Sequence, residues 1–202
     1  MHRISLLAFV VLVGGINAQA AEKIELFNGK DLTGWTGNPK FWSVKDGAIL
    51  GQTPGIDYNT FLYTDKEYDN FVLRFKVKLR NHNSGVQFRS EVVDPVKFVM
   101  AGYQADIAPE YWGLLYEEKK RGMIGFQKAK EVKTLAKTGE WVEVEVRAEG
   151  PKITVTTNGK NTVDYLEKDE KAGAKKGKIG LQLHGGPAME VEFKDITLEP
   201  LS

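Results

Sequence analysis

The sequence predicts an all-β protein built as an antiparallel β-sandwich, and three observations support this fold class. Apolar and polar residues alternate in several stretches, with the period of two that a strand with one buried face shows. Glycine, asparagine and aspartate separate these stretches as turn residues, and Asn158-Gly159 is a strong hairpin signal. No stretch after residue 20 keeps a long helical period. We therefore expect two curved antiparallel sheets packed face to face.

The clearest predicted strands follow one another along the chain. Residues 71–79 place five apolar side chains on one face, and residues 141–147 do the same with three valines. The turn at Asn158-Gly159 joins residues 153–157 to residues 162–165, and residues 189–198 close the chain. No internal repeat, low-complexity tract or linker interrupts this pattern, so we expect a single domain over residues 21–202.

The first residues predict an export signal. Arg3 precedes an apolar run from Ile4 to Ile16 that is too short to span a bilayer comfortably, and Ala18-Gln19-Ala20 fits a signal-peptidase site. We expect residues 1–20 to be removed, which gives a periplasmic or extracellular protein with no membrane segment. The chain has no cysteine, which excludes disulfide bonds and argues against lipid attachment. Its formal net charge of +1 argues against binding to nucleic acid.

Polar side chains on the outward faces of three predicted strands form the candidate site. Outward faces often carry serine, threonine or lysine, whereas these carry amide, charged and imidazole groups. If the three strands are neighbours, they form one polar surface with the tyrosines and tryptophan of residues 111–121 as walls. Polar groups beside aromatic faces are typical of a sugar site. By strand parity the outward residues are Gln87, Arg89 and Glu91 in residues 83–91, Gln104 and Asp106 in residues 101–107, and Gln182 and His184 in residues 180–186.

Several of these residues also have a simpler interpretation. Arg89 and Glu91 would form a surface ion pair, Asp106 would cap a turn, and His184 would be a hydrogen-bonded structural residue. The chain has no closely spaced histidine pair or carboxylate cluster that would mark a metal site. A divalent ion held by Asp106, Glu118, Glu91 or His184 stays open, because only the fold decides whether these side chains meet.

Seven motifs stand in order along the chain: FNGKDLTGW at 27–35, WSVKDGAI at 42–49, NSGVQFR at 83–89, GYQADI at 102–107, YWG at 111–113, GLQLHG at 180–185 and VEFKDI at 191–196. Together they resemble the 3-keto-disaccharide hydrolase domain family, over residues 24–201. The resemblance implies a concanavalin A-like jelly-roll β-sandwich, with a carbohydrate site on the concave sheet and action on oxidised sugars. Two positions depart from the family pattern. Another branch has Glu and Gln where this chain has Gln104 and Asp106, and Lys194 replaces the usual arginine.

The implied substrate suggests a mechanism. A keto group at C3 acidifies the C2 proton, so a base removes that proton, the glycosidic oxygen leaves C1, and added water completes a net hydrolysis. His184 is the expected base, because an imidazole titrates near neutral pH and the chain after residue 20 has one other histidine, His82. Arg89 or a bound divalent metal would stabilise the enolate oxygen, and Asp106 is the third catalytic candidate.

The other candidate residues are assigned to the substrate or to a metal. Asp106, Glu118 and His184 are the candidate ligands of a divalent ion, Ca²⁺ or similar. Other functions stay open: a glycosidase using Asp106 with Glu118 or Glu91, a non-catalytic carbohydrate-binding module, or a scaffold domain with an exposed apolar patch. The expected substrate-binding residues are Gln87, Gln104, Trp112, Tyr116, Glu118 and Gln182.

Overall fold

The computed structural model of the protein describes residues 22–125 and 134–201. Within these ranges the chain forms two antiparallel sheets and no helix, and so it contains no helix that could cross a membrane. The prediction of an all-β sandwich is confirmed. The expected signal peptide, residues 1–20, lies outside the described residues.

Sheet A carries most of the strands that the alternation predicted. Its long central strands pair over many residues, and the closing strand pairs with a strand on each side. In spatial order the sheet contains β13 (Lys160–Leu166), β12 (Lys152–Thr157), β11 (Val142–Glu149), β6 (Phe71–Leu79), β15 (Gly186–Pro200), β4 (Ala48–Ile56) and β3 (Trp42–Lys45), and β1 (Ile24–Glu25) also pairs with β15.

Sheet B carries all three strands on which the candidate site was predicted. Two of these strands, β7 (Ser84–Asp94) and β14 (Lys178–Leu183), pair directly, and β8 (Val99–Ile107) pairs with the other side of β7. In spatial order the sheet contains β10 (Gly122–Gly125), β9 (Leu115–Glu118), β8 (Val99–Ile107), β7 (Ser84–Asp94), β14 (Lys178–Leu183), β5 (Thr60–Thr64) and β2 (Trp35–Thr36). The three polar strands are therefore neighbours in one sheet, as predicted.

The hydrophobic core lies between the two sheets. Leu73 and Val77 of β6 are fully buried there, together with Phe88 and Ala105 of sheet B. Successive strand residues point to opposite faces, so the polar residues next to these positions point away from the core. Full burial of a leucine, valine or phenylalanine side chain stabilises the fold by about 1.5–3 kcal/mol. This core therefore stabilises a chain that contains no cysteine.

Trp112 belongs to this core, so its predicted role in substrate binding is wrong. Its side chain is fully buried and packs with the residues between the sheets. The physical reason is the tight connection from β8 to β9, in which the backbone N–H of Gly113 donates to the carbonyl of Asp106 at 2.9 Å. Gly113 has a φ of +73°, in the left-handed region, which lets the chain turn and direct the indole inward.

Candidate functional site

Three buried glutamines form the floor of a site on the outer face of sheet B. Gln87 lies directly opposite Gln104 across β7 and β8, and Gln182 follows on β14. The Oε1 atom of Gln104 accepts hydrogen bonds from Nε2 of Gln87 at 3.3 Å and from Nε2 of Gln182 at 3.1 Å. All three side chains are almost completely buried. The structure thus brings together the three amides that strand parity placed on one face.

Asp106 is held beside this floor by the central glutamine. The Nε2 atom of Gln104 donates to Oδ1 of Asp106 at 2.6 Å. Gly85 lies opposite Asp106 across the two strands, and a Cβ atom there would come within 2.4 Å of Cδ of Gln104. A glycine at position 85 therefore leaves the space that the Gln104 amide needs to reach the carboxylate.

A cavity of about 260 Å³ opens above the glutamine floor. Six of the predicted site residues line it, and two asparagines that were not proposed as site residues complete the wall. Asn83 stands in the NSGVQFR motif, which was a usable signal, whereas nothing in the sequence around Asn59 marked that residue. The lining residues are Asn59, Asn83, Gln104, Asp106, Tyr116, Glu118, Gln182 and His184.

The environment of Asp106 makes its carboxyl group unusual. Burial raises the pKa of Asp106 from 3.8 to about 7, because the charged form loses its hydration. The negative charge of Glu118 raises this pKa further, and the hydrogen bond from Gln104 opposes the shift. Asp106 can therefore carry a proton at neutral pH and donate it within the cavity.

The imidazole of His184 has one nitrogen engaged and one available. His184 directly follows β14, and its Nδ1 atom lies 2.5 Å from the carbonyl oxygen of Gly185. A carbonyl oxygen only accepts hydrogen bonds, so Nδ1 carries the hydrogen, and Nε2 of the neutral ring holds the lone pair. The loop is held in place by Asn59, whose Oδ1 accepts from the N–H of Gly185 at 2.8 Å. The same Asn59 donates to Oε1 of Glu118 at 3.0 Å.

Three buried amide oxygens in this region have no donor among the described residues. They are Oδ1 of Asn83, Oε1 of Gln87 and Oε1 of Gln182. A buried acceptor without a partner costs free energy, about 1–3 kcal/mol in mutational series. These oxygens have almost no exposed surface, so a ligand would reach them only if the amide groups turned toward it. Asn83 and Gln182 line the cavity, and their amide groups are suited to the hydroxyl groups of a polyhydroxylated molecule.

An apolar cluster continues the outer face of sheet B next to the glutamines. Phe61 of β5 lies directly opposite Gln182, and Tyr63 lies opposite Gly180. Both aromatic residues pack with Met100 of β8, and the N–H of Phe61 donates to the carbonyl of Phe98 at 2.9 Å. The face therefore has a polar half, which carries the cavity, and an apolar half.

Arg89 lies outside this cavity, so its predicted placement beside Gln87 is wrong. The register of β7 and β8 shifts between Phe88 and Glu91, and Arg89 has a φ of +47° at this bulge. Its guanidinium donates from Nε to the Asp69 carbonyl at 2.7 Å and from Nη1 to the Gly150 carbonyl at 2.7 Å. Nη2 donates to Oδ1 of Asn70 at 2.9 Å, and burial lowers the pKa of Arg89. Arg89 therefore links the segment of Asp69 and Asn70 to the turn at Gly150, outside the cavity.

Glu91 is also separated from the cavity by the same bulge. Its side chain is 64% exposed, and its carboxylate pairs with Nζ of Lys120 at 3.2 Å. The pairing of Glu91 with Asp106 that the sequence left open is therefore absent. The alternative interpretation, a surface ion pair between Arg89 and Glu91, is wrong too, because the guanidinium donates to the acceptors described above.

The candidate metal ligands do not fit a Ca²⁺ ion. Amide N–H groups of Gln104 and Asn59 donate to Oδ1 of Asp106 and Oε1 of Glu118, which leaves one oxygen of each carboxylate and a histidine nitrogen. Ca²⁺ takes about six to eight oxygen ligands. Among residues 22–125 and 134–201, no group of three histidine, cysteine, aspartate or glutamate side chains is placed to hold an ion.

The sequence matches the model of one protein family over nearly the whole described chain. The family is the 3-keto-alpha-glucoside-1,2-lyase-like domain, and the match covers residues 22–199. The chain belongs to this family. Membership confirms the resemblance seen in the motifs and supports a carbohydrate-related function with a sugar as the partner. No functionally curated protein matches the sequence significantly.

Solved structures confirm the jelly-roll fold. A Parabacteroides distasonis ATCC 8503 protein, provisionally named a glycosyl hydrolase, is 24% identical with a TM-score of 0.67, covering 89% of this chain and 94% of that chain. The carbohydrate-binding module CBM66 of Bacillus subtilis is 16% identical with a TM-score of 0.61, covering 82% and 95%. A Bacillus subtilis protein of unknown function with a galectin-like fold is 9% identical with a TM-score of 0.65, covering 83% and 89%. At these identities the likeness concerns the fold alone.

Proposed function

We propose that the protein cleaves the glycosidic bonds of 3-keto-glycosides, including 3-keto-disaccharides, by elimination followed by addition of water. One observation carries the proposal: the Asp106 carboxyl, with its pKa raised to about 7, shares a small cavity with the imidazole of His184. One group can hold a proton at neutral pH, and the other offers a lone pair. This combination supports an acid and a base acting on the same substrate.

In the proposed reaction, Nε2 of His184 takes the proton from C2 of the sugar. The electron pair left on C2 delocalises onto the C3 oxygen as an enolate and then forms the C1–C2 double bond as the C1–O bond breaks. Asp106 gives its proton to the departing oxygen. Water then adds across the double bond: its oxygen bonds to C1 while Asp106 takes one of its protons, and the imidazolium of His184, whose N–H exchanges with water, gives a proton to C2. Both groups return to their starting forms, so the net change is hydrolysis. General acid–base catalysis of this kind contributes about 10²- to 10⁴-fold to a rate.

The groups around the cavity would hold the sugar and the enolate. Arg89 does not stabilise the enolate oxygen, because its guanidinium donates to the Asp69 and Gly150 carbonyls outside the cavity. The Asn83 amide and the Tyr116 hydroxyl line the cavity and can donate to that oxygen. The amides of Gln104 and Gln182 also line the cavity and would hydrogen-bond to sugar hydroxyls. A cavity of about 260 Å³ is near the small end for ligand sites, about 300 Å³, which suits one sugar ring.

A non-catalytic carbohydrate-binding module is the second candidate function. The amides of Asn83, Gln104 and Gln182 favour it, because they line the cavity and would bind hydroxyl groups without any proton transfer. The fold shared with a carbohydrate-binding module is compatible with it. A module would bind oxidised and unoxidised glycosides alike and leave both intact.

The test is turnover of a methyl 3-keto-glucoside compared with the unoxidised methyl glucoside, because an alcohol leaving group needs the proton of Asp106. We expect release of methanol from the keto compound alone, and losses in kcat/KM of about 100-fold or more in His184→Ala and Asp106→Asn. Glu91→Gln, an exposed carboxylate away from the cavity, is the matched control and should keep the wild-type rate. Wild-type kcat/KM in both cavity variants would overturn the assignment. Binding of both glycosides without cleavage would establish the module.

We also propose that the protein is exported and that residues 1–20 are removed. Support comes from the charge at Arg3, the short apolar run and the small residues at Ala18 and Ala20. Expression of the full chain in a Gram-negative host, followed by mass measurement of the periplasmic protein, should give a chain that begins at residue 21. A full-length cytoplasmic product would contradict the proposal.

A further inference from the structure

A second imidazole lies against the proposed base. His82 lies in the short connection from β6 in sheet A to β7 in sheet B, far from His184 in sequence. The ring centroids of His82 and His184 are 5.0 Å apart, with an interplanar angle of 68°. This edge-to-face contact restricts rotation of the His184 ring about its terminal torsion.

The two rings share one hydrogen-bond acceptor. Nδ1 of His184 lies 2.5 Å from the carbonyl oxygen of Gly185, and Nε2 of His82 lies 3.3 Å from the same oxygen. A carbonyl oxygen has two lone pairs and only accepts, so both nitrogens carry hydrogen. The Gly185-Gly186 peptide would otherwise rotate easily, because neither residue has a Cβ. Two donors on one oxygen hold this carbonyl in place.

The backbone around His82 is shaped to hold its ring there. His82 has a φ of +63°, a left-handed conformation that is uncommon for residues other than glycine. Gly186 has a φ of +138°, and a Cβ atom at this position would come within 2.6 Å of Nε2 of His82. Asn81 fixes the connection on β15, since it donates to the Ala188 carbonyl at 2.8 Å and accepts from the Glu190 N–H at 2.9 Å.

We propose that His82 is a positioning residue for His184, an inference that rests on the proposed function of His184 as the base. His82 holds the Gly185 carbonyl, the carbonyl holds the hydrogen on Nδ1 of His184, and Nε2 of His184 keeps its lone pair available to the cavity. His82 itself does not line the cavity, so it acts through His184 and makes no contact with the substrate. Nothing in the outward-face pattern of the strands indicates this role.

The test compares two substitutions of His82 whose side chains differ in length. His82→Gln places an amide N–H near the position of the imidazole Nε2, whereas the shorter side chain of His82→Asn does not reach Gly185. Asparagine and histidine are both enriched in left-handed conformations, so the Asn variant keeps the backbone. We expect kcat for the 3-keto-glucoside to fall about 10-fold or more in His82→Asn with KM within about twofold, and to recover most of that loss in His82→Gln.

A second readout is independent of turnover. In ¹⁵N-labelled protein, long-range proton–nitrogen NMR spectra report which imidazole nitrogen carries the hydrogen. We expect His184 to show the Nδ1–H form in the wild type and in His82→Gln, and a mixture of both forms in His82→Asn. A wild-type tautomer together with wild-type kcat in His82→Asn would overturn the proposal, as would equal losses of kcat in the two variants. If the wild type turns over no 3-keto-glycoside, the proposed function fails, and the tautomer measurement still decides whether His82 orients His184.

Discussion

The buried carboxyl of Asp106 should make the stability of the protein depend on pH, and replacing it should remove that dependence. The pKa of Asp106 is raised from 3.8 to about 7 in the folded protein. The folded state therefore binds this proton more tightly than the unfolded state does. The contribution is complete below pH 3.8 and is lost as the pH rises through about 7. Asp106→Asn has no such proton.

The size of the effect follows from the shift. One pKa unit corresponds to about 1.4 kcal/mol, so the change in Asp106 amounts to roughly 4 kcal/mol over its whole range. Between pH 5.5 and pH 8.5 the free energy of unfolding should fall by about 2 kcal/mol from this group. The side chain keeps some solvent exposure, so this figure is an upper estimate. Asp31 and Glu167 have lowered pKa values of about 2, so they make the free energy of unfolding decrease as the pH falls. This decrease takes place at pH values below the range from pH 5.5 to pH 8.5.

Urea unfolding of the wild type and of Asp106→Asn at pH 5.5 and 8.5 measures the effect. The comparison removes every contribution that the two proteins share, including that of the histidines. The wild type should lose about 2 kcal/mol more than the variant between these two pH values. Glu118→Gln should shift the transition toward lower pH, because the charge of Glu118 raises the pKa of Asp106. Identical pH dependence in the wild type and Asp106→Asn would refute the electrostatic description of the cavity.

Three further predictions concern residues around and beyond the cavity. Arg89→Ala should destabilise the fold by about 3 kcal/mol, because it leaves the carbonyl oxygens of Asp69 and Gly150 without this donor and removes one of the two donors to Oδ1 of Asn70. The folded fraction should keep its kcat/KM, and a selective loss of kcat would contradict this. Gly85→Ala should lower the kcat/KM of the folded fraction about 10-fold or more and should also lower Tm, since the new Cβ would displace the buried Gln104 amide and disturb its hydrogen bonds. Wild-type kinetics would count against the role of the Gln104 amide. Trp112→Phe should lower the free energy of unfolding in urea by about 1–3 kcal/mol and leave the affinity for sugar unchanged in calorimetry. Weaker affinity with unchanged stability would show that the indole contacts the sugar.

Alternation of apolar and polar residues was sufficient to predict the fold class and much of the site. Strand parity placed Gln104 and Asp106 on one face of β8 and Gln182 on the outward face of β14, and the structure brings them together. Parity works at these positions because β8 and β14 run without interruption through the site residues. The two-residue period is a local property of the backbone, so it can be read directly from the sequence.

The same rule failed for Arg89, where the backbone departs from the regular period. A bulge depends on pairing with β8 and on the acceptors that Asp69, Asn70 and Gly150 offer, which lie far away in the sequence. The prediction that Trp112 binds the substrate was wrong for a related reason. An aromatic residue beside polar strands is compatible with a sugar site or with the core, and only the turn at Gly113 decides between them.

Asn59 and His82 show what a single sequence leaves out. Both lie in connections between strands, where no periodicity exists to indicate which way a side chain points. Their contacts with Gly185 form only when the two sheets and the end of β14 come together. The carbohydrate-related function therefore follows from motifs, whereas the arrangement around His184 requires the three-dimensional structure.

The most direct test of the central claim is cleavage of a 3-keto-glucoside that carries deuterium at C2. Removal of the C2 proton by His184 predicts slower cleavage of the deuterated substrate than of the protonated one, entry of solvent hydrogen at C2 of the product, and no cleavage of the unoxidised glucoside. Cleavage of the oxidised and unoxidised glucosides at equal rates, with no isotope effect and with C2 deuterium fully retained, would contradict the proposed function.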